Sequence, residues 1–312
     1  MNCLIIGCSG QDGLLLSKEL NGNNHKVFGV LTGNSKSVKT EFKTFFEDVV
    51  DIQKFDKGEY LDLIKKWNID CIYYLASLSS VLECDKNPTL AMEVNFLNYL
   101  KILEVIDLYE LNLKVVYASS ILVFDTQTIL VNEASPKRAR NLYQLTKLVA
   151  SEVSRIYRSK GLKISVAFLS NHESYLRDSR FVTGKIIEQL RSVNDGVKNV
   201  IELGNVEVYK DWSDAEDVMR GLRLLGESDL TDDVIFASGE TYQLSGLVKK
   251  FIELSSVNSN TKVVSLDESE YGEKNEFFQL DISKAKKYLG WEPTTSIEHM
   301  ISKILSYNSL KA

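Results

Sequence analysis

The sequence predicts an α/β protein: a doubly wound parallel sheet with helices on both faces and a smaller, mixed C-terminal lobe. Three observations predict it. Through the first 169 residues, short apolar runs alternate with amphipathic stretches, the pattern of strands joined by crossover helices. The runs are continuously apolar, as strands buried on both faces of a sheet are. Glycines at positions 7, 10 and 13 then form a turn between the first run and the first amphipathic stretch.

Taken in order, Cys3–Ile6 reads as a strand, Gly13–Leu20 as a helix and Lys26–Leu31 as the second strand. A helix at Tyr60–Trp67 leads to a strand at Cys71–Leu75, and a long helix at Ala91–Leu108 leads to one at Lys114–Ala118. Leu142–Ser159 is a further helix and Lys163–Leu169 a further strand. After about residue 170 polar loops interrupt short helices, and Val234–Ala237 reads as a strand returning to the main sheet. The division expected is a Rossmann-type NAD(P)-binding domain over 1–169. The remainder, 170–312, is mainly a substrate lobe with some elements returning to the sheet. Three prolines and no low-complexity segment leave no visible linker or repeat.

Composition narrows the partners. A net charge of −6 without a basic block argues against a nucleic-acid groove, and the run Lys137-Arg138-Ala139-Arg140 is too short to change that. Cys3, Cys8, Cys71 and Cys84 lack metal-type spacing, so no metal site is expected, and they read as buried free thiols in a reducing compartment. Met1–Ile6 lacks the basic start and long apolar core of an export signal, and no apolar stretch of about 20 residues offers a membrane span. The expected location is cytoplasmic.

Gly7, Gly10 and Gly13 follow a strand and open a helix. The first allows a tight turn, the second close approach of a pyrophosphate, and the third close helix packing. Asp51 and Ile52, after a third strand, are placed to flank an adenine; a helix cap is the alternative. The end of the second strand carries no carboxylate to hold ribose hydroxyls, while Ser35 and Lys36 offer a phosphate some contact without a bidentate arginine. The balance tips slightly to NADP over NAD.

Tyr143 and Lys147 are four residues apart, hence on one helix face. A nearby ammonium lowers a phenol pKa, so the pair can handle the proton that accompanies a hydride. Ser119 and Ser120, after a buried strand, supply a hydroxyl for the substrate oxygen, or else serve as turn residues. Oxidation or reduction of an alcohol or ketone is the chemistry these residues suit.

With these elements in place the chain resembles the extended short-chain dehydrogenase/reductase family, and within it the GDP-mannose 4,6-dehydratases and their reductase relatives. Gly10-Gln11-Asp12-Gly13 is similar to the first loop of that group and Tyr74-Leu75-Ala76-Ser77-Leu78-Ser79 to its fourth-strand motif. Asn171-His172-Glu173-Ser174 followed by Phe181-Val182-Thr183-Gly184-Lys185 is the most specific segment. Leu203-Gly204-Asn205, Asp211-Trp212, Ser238-Gly239-Glu240-Thr241 and Leu289-Gly290-Trp291 continue the likeness. The resemblance implies that Gln11, Asp12, Leu75 and Ala76 join the cofactor site, and that Ser79, Asn171, Lys185 and Lys210 face a nucleotide-sugar substrate, GDP-linked by analogy.

Departures from the pattern matter. Dehydratases carry a glutamate base two residues after the catalytic hydroxyl, and here Leu122 takes its place. Lys210 stands where the group has an arginine, and its later Arg-Pro-x-Glu segment is not recognisable around Tyr271–Glu276. The arginine-rich loop that helps pack a tetramer is missing, so a homodimer is expected. The first expectation is therefore an NAD(P)-dependent oxidoreductase at C4, a GDP-4-keto-6-deoxyhexose reductase. A dehydratase with an atypical base is second, and a catalytically silent nucleotide-binding partner third. His172 reads as a hydrogen-bonded structural histidine, Trp212 and Trp291 as core, and Arg177 and Arg180 as either phosphate-facing or surface residues.

Overall fold

The computed structural model describes residues 1–32, 37–52, 56–125, 129–257, 260–266 and 277–310. The first elements are β1 (Asn2–Ile6), α1 (Gln11–Gly22), β2 (Lys26–Thr32), β3 (Asp48–Ile52), α2 (Lys57–Lys66) and β4 (Cys71–Tyr74). Next come α3 (Val81–Lys86), α4 (Pro88–Met92), α5 (Asn98–Leu108), β5 (Lys114–Ser120), β6 (Leu130–Val131), α6 (Leu142–Ser159) and β7 (Lys163–Leu169). Then follow β8 (Asn171–Glu173), α7 (Val182–Asn194), β9 (Val200–Leu203), β10 (Tyr209–Asp214), α8 (Ala215–Glu227) and β11 (Asp233–Phe236). The last are β12 (Thr241–Gln243), α9 (Leu244–Glu253), β13 (Lys262–Ser265), β14 (Gln279–Leu280), α10 (Ser283–Leu289) and α11 (Ile297–Tyr307).

Seven parallel strands form the main sheet in the order β11-β7-β5-β4-β1-β2-β3. The chain runs outward from β1 to β3, then crosses back to β4 on the other side, so the order reverses between β1 and β4. Ligands of open α/β sheets bind at the carboxyl end of such a reversal. Leu, Ile and aromatic side chains cover both faces. On one, Tyr60 of α2, Tyr99 and Ile102 of α5 and Ala150 of α6 pack on the sheet. On the other, Leu14 and Leu16 of α1 and Val218 and Leu222 of α8 do so, closed off by Trp291.

A third cluster forms the lobe: Ile186 and Leu190 of α7, Trp212 of β10, Phe251 of α9 and Ile301 and Ile304 of α11. Its sheets are the mixed β12-β10-β8 and the two-stranded β13-β9. Trp212 and Trp291 are both core, as the sequence suggested.

Three local differences have physical causes. The helix expected over 91–108 is broken by a π turn at Glu93–Leu97, where the wider backbone ring aims a polar residue, Asn95, into a buried position. Ser119 and Ser120 belong to β5, because each still pairs with β7. Asp51 and Ile52 close β3, paired with Leu31 and Thr32; the cap of α2 is Asp56, whose side chain accepts from the amides of Gly58 and Glu59.

Candidate active site

The turn after β1 is shaped by close backbone approaches. Gly7 has φ +91°, and a Cβ there would lie 2.6 Å from the Ala76 amide nitrogen. A Cβ on Gly13 would lie 2.5 Å from the Gly7 carbonyl oxygen, so α1 packs directly on the turn. Gly10 differs: a Cβ would meet nothing nearer than 3.6 Å, and its N-cap position makes no side-chain bond. The opening amides of α1 are therefore not capped by a side chain, and their approach is open. An anion suits that end of a helix, so the residues present fit the diphosphate of a dinucleotide.

Around this turn, Leu75 donates its amide to the Ile6 carbonyl at 2.9 Å, which carries Leu75 and the buried Ala76 beside Gly7. Asp51 and Ile52 end the strand two places over in the sheet. Ser35 and Lys36 lie outside the described residues.

Helix α6 starts where the Asn141 side chain accepts from the Gln144 amide at 2.9 Å. Its buried face presents Tyr143, Lys147 and Ser151 at successive turns. Ser120, at the end of β5, has its hydroxyl on the side of the Tyr143 phenol, whose pKa it draws down, and its Oγ accepts from the Leu122 amide at 3.2 Å. Ser119 points the other way, as alternate strand residues must, and meets Ser151 Oγ at 3.0 Å beneath the helix. Of the two serines expected to offer a hydroxyl, Ser119 is thus engaged beneath α6 and Ser120 is the one on the Tyr143 side.

The expectation that Lys147 lowers the Tyr143 pKa also needs correction. Lys147 Nζ donates to the Ala118 carbonyl at 2.7 Å and stands 6.0 Å from the Tyr143 ring centre. Burial pushes the phenol up to about 12, with the Ser120 hydroxyl and the Arg177 charge pulling against it. Burial likewise draws the Lys147 ammonium down to about 8, opposed by Asp12 and Cys84.

Two further residues brace the site. Asn95 accepts from the Leu78 amide at 2.7 Å and donates to Thr146 Oγ1 at 3.1 Å, tying the loop that carries Ser79 to the catalytic helix. The sequence signal was a lone asparagine on an apolar helix face. Leu122, which the family resemblance sets in the place of a base, packs in an apolar cluster with Tyr143, Cys84, Leu78, Val81 and Leu142. The nearest acid along the chain, Asp125, is paired to Arg140 at 2.6 Å.

The lobe begins at β8. Asn171 pairs in register with Trp212 and donates to the Asp211 carbonyl at 3.3 Å, so the strand carrying Lys210 lies alongside. Lys185 is exposed in the first turn of α7, and Ser79 is exposed in the loop after β4. Arg177 is mostly buried: Nη2 donates to the His172 carbonyl at 2.9 Å, Nε lies 3.3 Å from Glu173 Oε2, and the guanidinium covers the Phe181 ring. Arg180 is a surface residue paired with Asp178 and Glu83.

Among the described residues, no group of three or more His, Cys, Asp or Glu side chains is arranged to hold a metal ion. All four cysteines are buried free thiols. No described helix is long and apolar enough to cross a membrane.

A family model described as GDP-mannose 4,6 dehydratase matches residues 4–304. Among curated relatives, GDP-mannose 4,6 dehydratase 1 of Arabidopsis thaliana is 27% identical over 321 residues, covering 97% of this chain and 88% of the relative. GDP-mannose 4,6-dehydratase sdnI of Sordaria araneosa is 25% identical over 340 residues; the match covers 97% of this chain but spans only 60% of that relative's length. Among solved structures, the UDP-glucose 4-epimerase of Thermus thermophilus, determined with NAD, superposes with a TM-score of 0.85 at 20% identity, covering 99% of each chain. The glycine turn at a sheet reversal, the Ser-Tyr-Lys arrangement and a family match over nearly the whole length agree: the chain belongs to the GDP-mannose 4,6-dehydratase family.

Proposed function

We propose that this chain is an NAD(P)-dependent enzyme that moves a hydride at C4 of a nucleotide sugar, GDP-linked as in its named relatives. The observation that carries this reading is Tyr143 and Lys147 on one buried face of α6, with the Ser120 hydroxyl at the end of β5 acting on the phenol. NAD(P), when bound, supplies the hydride acceptor or donor. Gly7, Gly10 and Gly13 shape the turn for its diphosphate, with Gln11, Asp12, Leu75, Ala76, Asp51 and Ile52 around it. Ser120 orients the C4 oxygen of the sugar, and Tyr143 takes or returns the proton on that oxygen. Lys147, itself buried, holds positive charge beneath them. Asn171, Lys185, Lys210 and Ser79 are proposed to face the nucleotide sugar, most of it in the lobe formed by residues after 169. The exposed apolar residues Leu108 on α5 and Leu145 and Ile156 on α6 support a homodimer, and the buried thiols support a cytoplasmic location.

Family membership favours dehydration of GDP-mannose as the complete reaction. That reaction needs a base to remove the C5 proton after oxidation at C4. Leu122 cannot act as one, and it is the observation that favours a second reading, reduction of a GDP-4-keto-6-deoxyhexose. Two assays separate them. Incubation with GDP-mannose and catalytic cofactor should yield a 4-ketone lighter by one water if the chain is a dehydratase. Steady oxidation of NADPH by the 4-keto sugar, with GDP-mannose unchanged, would establish the reductase. Inactivity in both assays with cofactor bound would sink the reading of hydride transfer on GDP sugars.

A further inference from the structure

Helix α1 opens with a carboxylate, Asp12, in its first turn. A diphosphate docking there meets a like charge unless that carboxylate is offset. Asp12 Oδ1 lies 3.0 Å from Nε2 of His172, on β8. The other ring nitrogen, Nδ1, lies 2.7 Å from the Ser170 carbonyl oxygen. Carbonyl and carboxylate oxygens accept hydrogen bonds and do not donate them. With an acceptor at each ring nitrogen, both nitrogens carry protons, and His172 is an imidazolium.

The surroundings fit a charged pair. The His172 side chain is 10% exposed and that of Asp12 25%. From α1, Gln11 Nε2 donates to Asp12 Oδ1 and to the His172 carbonyl, each at 3.1 Å. From the loop after β8, Arg177 faces both groups and is itself paired with Glu173. From α6, Lys147 and Tyr143 feel the Asp12 charge. Burial alone would push Asp12 up and His172 down. Their mutual attraction overrides this, holding Asp12 well below the usual carboxylate range and His172 above the usual imidazole value.

We propose that His172 is a positioning residue for the cofactor: as an imidazolium it neutralises Asp12 at the mouth of α1, so a dinucleotide diphosphate binds well while the ring is charged and more weakly once it is not. The proposal rests on the reading that the glycine turn holds NAD(P). It also gives the cofactor turn a direct link to the lobe, reinforced by the Ser174 hydroxyl, which donates to Gln11 Oε1 at 2.7 Å.

The test is equilibrium binding of NADPH and NADH to the full chain, read by nicotinamide fluorescence, from about pH 6 to about pH 9. Wild-type Kd should rise by about tenfold across that range, the scale of one nearby charge. His172→Gln should bind about tenfold more weakly at the acid end, without a slope, because Asp12 is left uncompensated. Asp12→Asn should lose the slope between about pH 6 and about pH 8, where Lys147 stays charged, since burial then leaves the ring neutral throughout. The double variant should recover the affinity lost in His172→Gln. A purely structural histidine predicts pH-independent losses and no recovery in the double variant, and that result overturns the proposal. Should His172→Gln fail to fold, an undiminished slope between about pH 6 and about pH 8 in Asp12→Asn does the same. Tight binding with a flat wild-type profile overturns this inference and leaves the dinucleotide reading standing. No binding of either cofactor at any pH overturns both.

Discussion

Lys147 Nζ donates a hydrogen bond to the Ala118 carbonyl at 2.7 Å, so the ammonium is anchored to the end of β5 as well as to its own helix. Its burial draws its pKa down to about 8, while Asp12 and Cys84 hold it up. The charged form is the one lost as pH rises. Turnover that depends on the ammonium should therefore be level below about pH 8 and fall about tenfold per pH unit above it. A pH–rate profile checks this, and Lys147→Arg, which stays charged, should lose the alkaline limb even at lower overall activity. A wild-type rate still level at about pH 10 would exclude the ammonium as the controlling charge.

Tyr143 is buried on the face of α6 that also carries Lys147, and the Ser120 hydroxyl acts on its phenol. Tyr143→Phe removes the proton-carrying atom and keeps the ring in its apolar cluster. Turnover should drop by roughly 10²–10⁴, with cofactor affinity within about twofold of wild type and unfolding temperature little changed. Undiminished turnover in this variant would remove Tyr143 from the chemistry.

The family resemblance sets Leu122 in the place of an elimination base. Leu122→Glu places a carboxylate beside Tyr143 and should raise the rate of water loss from GDP-mannose by about 10², the low end of what a positioned base supplies. It should also cost about 1–3 kcal/mol of stability, because the cluster of Leu78, Val81 and Leu142 offers the acid no partner. Mass analysis of the product and thermal unfolding read the two effects. If wild type already dehydrates GDP-mannose and the variant is slower, the base lies elsewhere.

The main sheet was legible because parallel strands are apolar on both faces and the glycine turn marks where they begin. Lys163–Leu169 and Leu142–Ser159 have the bounds expected of them. Periodicity could not reveal the π turn at Asn95, since one inserted residue leaves an apolar face looking continuous. Nor could it choose between Ser119 and Ser120, which depends on where β5 ends. The Asp12–His172 pair joins residues 160 apart in sequence; each was visible in a motif, and only the register of β8 beside β10 brings the imidazole to the turn. The pKa of Tyr143 was misjudged for a related reason: spacing predicts that Lys147 shares its face, but burial, which spacing does not report, sets the direction.

Gly184 gives the sharpest test of how the lobe is built. A Cβ there would lie 2.0 Å from the Asp178 carbonyl oxygen and 2.3 Å from its carbon, both backbone atoms. That carbonyl accepts from the Phe181 amide at 3.1 Å, and Arg177, the residue just before Asp178, clamps the His172 carbonyl. The backbone can make room only by shifting the whole loop. Gly184→Ala should therefore cost about 1–3 kcal/mol, the usual range for forcing an atom into a packed site. The displaced loop lies beside Lys185 and Asn171 rather than Tyr143 or Ser120. KM for the nucleotide sugar should rise several-fold more than kcat falls, with NADPH affinity nearly constant. Thermal unfolding and steady-state kinetics measure both effects. Unchanged stability and KM would mean that the loop yields freely and does not set the geometry of the lobe.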